Sequence, residues 1–86
     1  MEMFVGILDK IRVINTDPLM IGFTINLPTL KLNCIAVHRE TSNKILMIPD
    51  GKYELVVQGR FNRKSHFVVK QFEVLNPDDQ IKKLGI

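Results

Sequence analysis

A hydrolytic triad in this 86-residue sequence would have to be drawn from Ser42, Ser65, His38 and His66, since no other serine or histidine is present. Ser65 and His66 are chain neighbours. Neighbours on a strand project to opposite faces, so the two do not make a nucleophile and its base. No glycine-rich phosphate loop and no Cys/His metal spacing occurs, and Asp78-Asp79 and the scattered acids form no cluster suited to metal-assisted phosphoryl chemistry. The single cysteine, Cys34, lies in an apolar run and reads as a buried thiol with no redox or zinc chemistry. The sequence therefore predicts a protein that is not an enzyme and needs no cofactor or metal.

A different chemistry is written in Arg60-Phe61-Asn62-Arg63-Lys64-Ser65-His66-Phe67. Cations can track phosphates, and flat side chains can stack on unpaired bases at about 1–3 kcal/mol per base. This segment holds both kinds of residue, and Arg60, Phe61, Arg63, Lys64, His66 and Phe67 are its candidate contacts. The competing reading is a solvated hairpin tip with Phe61 and Phe67 turned into a core. Lys10 and Arg12 form a second cluster beside the turn Asn15-Thr16-Asp17, and their shared strand parity predicts one common face. Lys31 is a weaker member. His38, as a stacking residue, and Arg39 complete the set. Tyr53 alternates with Leu55 and Val57 and is expected to pack inward, while Phe4, Phe23 and Phe72 are assigned to the core. A net charge of +3 and a pI near 9.3 leave anionic partners unrepelled.

The elements that must position these residues are mostly strands. Ile21, Phe23, Ile25 and Leu27 alternate with Gly22, Thr24 and Asn26, the period of a half-buried strand. Upstream, Met3–Ile14 predicts a long first strand with a bulge or bend near Gly6. Asn15-Thr16-Asp17-Pro18 supplies the turn between the two. Leu30–His38 reads as the third strand. Arg39–Ile48 loses the alternation and predicts a helix of one or two turns capped from Thr41-Ser42-Asn43, closed by the turn Asp50-Gly51. Lys52–Phe61 and His66–Leu75 are two further strands forming a hairpin. Residues 1–75 thus make one domain, and 76–86 read as a C-terminal tail, frayed or weakly helical over Gln80–Ile86. Three strands, a short helix and two more strands are the order of an all-β, five-stranded Greek-key barrel of the OB type. No apolar run approaches the roughly 20 residues of a spanning helix, and the N-terminus lacks a basic n-region and cleavage site, which predicts a cytoplasmic protein.

Over about residues 3–75 the chain resembles the bacterial single-stranded DNA-binding proteins and their small relatives. Val5-Gly6-Ile7-Leu8 stands where that family carries its Val-Gly-x-Leu core, and Ile21-Gly22-Phe23-Thr24-Ile25-Asn26-Leu27 matches its Phe-centred strand. His38 takes the place of an aromatic residue before the helix. Asp50-Gly51 and Leu55-Val56-Val57-Gln58-Gly59-Arg60 echo its Gly-Asp, apolar run and Glu-Gly-Arg. The chain departs from the family in having no Trp and no Gly/Pro/Gln-rich linker with an acidic tip. The resemblance implies an OB barrel and a single-stranded ligand, DNA first, bound with little sequence specificity in a basic-aromatic groove. DNA replication is the process attached to that family. So small a core would gain from a partner subunit, so a homodimer or a higher homo-oligomer is expected. The rival expectation is an OB-like adaptor that binds another protein.

Overall fold

Alternating apolar residues become strands when both their ladders and their inner faces can be satisfied, and closing the sheet on itself achieves both. The computed structural model describes all 86 residues. In chain order it has β1 (Glu2–Thr16), β2 (Leu19–Asn26), β3 (Lys31–Ala36), α1 (Arg39–Leu46), β4 (Glu54–Phe61), β5 (Phe67–Val74) and α2 (Asp79–Lys83). The strands form a closed barrel in the order β1-β2-β3-β5-β4, with β4 returning to β1. Every pairing is antiparallel except β3 with β5, which is parallel and short. This is the all-β, OB-like barrel the sequence predicts, with its helix between the third and fourth strands.

The inner face carries Leu8, Ile21, Phe23, Ile25, Leu55, Val57, Phe67 and Val69, each with no exposed surface, and Tyr53 is buried beside them. Each such aliphatic or phenyl side chain contributes about 1.5–3 kcal/mol on burial, which is what offsets the chain entropy of so small a domain. Phe23 is in this core, and Phe4 and Phe72 pack against it from half-buried positions. Cys34 is buried, and burial pushes its thiol up to about 12.

Three local expectations change. The bend near Gly6 is not there. The irregularities of β1 fall between Asp9 and Arg12, where Lys10 adopts φ 52°, and between Val13 and Asn15. Gly6 is instead a close-approach site, because a Cβ there would run into the Asn26 carbonyl of β2. The cap of α1 is His38 with extended backbone and no side-chain hydrogen bond, not Thr41, Ser42 or Asn43. Ser42 lies within the helix, fully buried, and its hydroxyl donates to the Ala36 carbonyl at 3.0 Å, tying α1 to the end of β3. The C-terminal segment is helical only over Asp79–Lys83, and that helix is held in place. The Asp78 carboxylate caps α2 by accepting from the Ile81 amide, and it also accepts from the Tyr53 hydroxyl at 2.9 Å and pairs with Lys52 at 3.1 Å. Ile81 is 0 % exposed and belongs to the barrel core. A helix of five residues has no stability of its own, so this docking is what forms it.

Candidate nucleic-acid interface

The β4–β5 hairpin is built around Asn62. Its side-chain oxygen accepts from the Lys64 amide at 2.9 Å and the His66 amide at 3.0 Å, while its own amide donates to the His66 carbonyl. Such a side-chain turn fixes the loop and lets Ser65 take φ 65°. Arg63 and Lys64 stand exposed at the tip. Phe61 and Phe67 are register partners across the base of this hairpin, and therefore share a face, the inner one.

Their fates differ. Phe67 is 0 % exposed and Phe61 is 42 % exposed. The phenyl rings of Phe4, Phe61 and Phe67 meet edge to face, with centroids 5.9 Å apart for Phe4–Phe61 and 5.1 Å for the other two pairs. They pack together beside the hairpin, Phe4 half-buried and Phe61 the most exposed of the three. Phe67 is thus a core residue and cannot stack on a base. His66 is half-buried and is engaged through its backbone.

Arg60 and Val68 are register partners on the opposite, outer face of the same strands. Beyond Val68 the ladder slips between Gln58 and Gly59 opposite Gln71 and Val69, which leaves Lys70 as the extra residue. The slip is possible because Gly59 lies against the Val68 carbonyl, where any Cβ would overlap backbone. Arg60, Val68 and Lys70 together with Phe61, Asn62, Met1 and His38 line one concave surface of about 540 Å³. His38 reaches it from the junction of β3 and α1, exposed and without a capping bond of its own. None of these lining residues is acidic. The surface combines two fixed cations, an imidazole, an amide and an open phenyl face, a set suited to holding phosphates and a base.

Of the residues singled out in the sequence, the fold brings His38, Arg60 and Phe61 into this surface, with Arg39 next in the chain as the first, exposed residue of α1. Lys10 and Arg12 lie elsewhere. β1 begins beside Gly59 and reaches Gly22 at Arg12, about ten residues and up to about 30 Å further along an extended strand. The irregular stretch between Asp9 and Arg12 also breaks the simple parity expected of this pair, and the Arg12 guanidinium lies over Gly22. Lys31 is exposed opposite Asn26 at the start of β3. Lys70 was invisible as a site residue in the sequence. Its only signal there is a cation interrupting the run Phe67-Val68-Val69, and its place depends on the ladder slip. Compared with known proteins, the chain matches no family model and no curated protein.

Proposed function

We propose that the protein binds single-stranded nucleic acid, DNA first, with little sequence specificity and without catalysing a reaction. The observation that carries this reading is the acid-free concave surface lined by Arg60, Lys70 and His38 together with the half-exposed Phe61. Arg60 and Lys70 hold the phosphates, Phe61 stacks on a base at the barrel mouth, and His38 offers a second flat surface. Arg63 and Lys64 at the hairpin tip extend the positive field over which a strand is first captured. The likeness of several strands to single-stranded DNA-binding proteins points the same way, as does the net charge of +3. Fluorescence anisotropy with labelled oligo-dT, oligo-U and duplex DNA of about 10–20 nucleotides, at two salt concentrations, tests it, with tighter binding of single strands expected. Equal affinity for duplex refutes the stacking role of Phe61.

A homodimer belongs to the same proposal. Met1, Met3 and Val5 are exposed along the start of β1, and a small barrel gains stability by covering such side chains. That strip is also the feature favouring the adaptor reading, in which it meets a different protein. A single protein that sediments as a dimer and binds oligo-dT supports the first arrangement, and a monomer blind to every oligonucleotide supports the second.

A further inference from the structure

Along most of its length β5 has only one neighbour. It pairs with β4 from Phe67 to Val74 but meets β3 at two residue pairs, Cys34 with Phe67 and Ile35 with Val68. The ladders fix where the remaining backbone groups point. The Leu8 amide donates to the Tyr53 carbonyl, and Gly6 with Leu55 and Phe4 with Val57 continue that bonded pair at steps of two. Leu55 and Val57 therefore turn their backbone groups toward β1, and Val56 and Gln58 turn theirs toward β5. The Leu75 amide, donating to the Glu54 carbonyl at 2.8 Å, is in the same phase. Glu73 and Gln71, the partners of Val56 and Gln58, are thus bonded to β4. Phe72 and Val74 turn their N–H and C=O groups the other way, toward a missing neighbour. No side-chain hydrogen bond reaches these groups.

They face a cavity of about 470 Å³ lined by the consecutive residues from Lys70 to Val74. A strand face shows only alternate residues, so an unbroken run marks an edge. Glu40, Thr41 and Lys44 of α1 also line the cavity, as do Pro77, Lys82 and Ile86 from the segment after β5. Lys44 is held by Glu40 at 3.2 Å, and the remaining ion pair joins Lys52 to Asp78. Lys70 and Lys82 are left without a carboxylate, against one unpaired acid, Glu73.

We propose that this edge of β5 binds an extended acidic peptide as an added strand. The peptide backbone supplies both donors and acceptors to Phe72 and Val74, its carboxylates meet Lys70 and Lys82, and its alternate side chains rest on Phe72 and Val74. A nucleic-acid strand fits less well, because its phosphodiester backbone only accepts and can pair with the Phe72 and Val74 amides but not with their carbonyls. The site is separate from Phe61 and Arg60, and shares only Lys70 with the surface described above. Amide hydrogen exchange followed by NMR on the full chain is the test, with the probe acetyl-Asp-Val-Glu-Val-Asp-amide at about 5 mM, a concentration that reveals even weak binding. In the free protein the Phe72 and Val74 amides exchange fast, and the peptide slows both by at least about tenfold. The same peptide N-methylated at alternate amides gives no protection, and Lys82→Glu weakens the unmodified peptide by about tenfold or more. The proposal is overturned if the unmodified peptide leaves both amides fast, or if the N-methylated peptide protects them equally. Protection by oligo-dT in place of the peptide also overturns it and assigns the groove to nucleic acid.

Discussion

Replacing Arg60 and Lys70 together by alanine separates the concave surface from the hairpin tip as the place where phosphates are held. Both side chains line the same surface on the outer face of β4 and β5, and neither takes part in an ion pair, so the folded barrel does not depend on their charge. For single strands the slope of log K against log salt is about −0.7 per phosphate neutralised, so losing two contacts flattens it by roughly 1.4. Across a fourfold rise in salt, as from ~50 to ~200 mM, the variant then loses about sevenfold less affinity than the parent protein. Phe61→Ala acts differently. It removes two edge-to-face contacts, with Phe4 at 5.9 Å and Phe67 at 5.1 Å, and costs about 1–3 kcal/mol of stability. Binding falls by another 1–3 kcal/mol or so while the salt slope is nearly unchanged, since stacking releases few ions. The assay is anisotropy with labelled oligo-dT at four or more salt concentrations, well below the unfolding temperature of each variant. Arg63→Ala with Lys64→Ala serves as the comparison and is expected to flatten the slope by less. A folded Arg60/Lys70 variant that keeps both affinity and slope refutes the reasoning, and the adaptor reading then becomes the better one.

His38→Ala should weaken single-strand binding while changing stability by less than about 0.5 kcal/mol, because the side chain is exposed and makes no capping bond; a large loss of thermal stability at unchanged affinity contradicts this. Gly59→Ala should destabilise the barrel by about 3 kcal/mol or more, since the new Cβ meets the Val68 backbone, which has no flexible end to move aside; urea unfolding measures it. The Asp78 carboxyl is held down at about 2 by the Ile81 amide and then by Lys52. A carboxyl lowered on folding stabilises above its ordinary value and stops doing so as pH falls through the lowered one, so docking of α2 should loosen between about pH 4 and pH 2. The Ile81 methyl signals report that step, and an Asp78→Asn variant showing the same acid transition assigns it to another group. Cys34, buried with its thiol pushed up to about 12, should not react with a disulfide reagent at about pH 8 until the chain unfolds; a fast native reaction disproves the burial.

The number, order and approximate limits of the strands are legible in the sequence, because a residue's face on a strand follows from its position modulo two, and Ile21, Phe23 and Ile25 take the inner face as that rule predicts; the half-buried character expected of this strand does not hold, because Arg12 and Ile14 of β1 cover Gly22 and Thr24 is buried where its hydroxyl donates to the Asp9 carbonyl. The place of the helix and the cationic hairpin are legible for the same local reasons. What the strands do to one another is not. Phe61 and Phe67 have equal chemistry and share a face, yet Phe67 is covered because β3 arrives beside it through Cys34, while Phe61 stands past Gly59, where the ladder between β4 and β1 ends. Lys70 enters the candidate site through a one-residue slip that depends on Gly59 meeting Val68, and Lys10 and Arg12 leave it because β1 is long enough to carry them to another part of the barrel. The unpaired edge of β5 is likewise a property of barrel closure, set by how few rungs join β3 to β5. The C-terminal residues show the same division. Asp78-Asp79 before Gln80-Ile81-Lys82-Lys83 carries a capping signal in its own sequence, but a segment this short is helical only because Tyr53, Lys52 and the core around Ile81 receive it. Periodicity is local and survives in the sequence, whereas burial and proximity are set by partners that are distant in the chain and so are decided only by the fold.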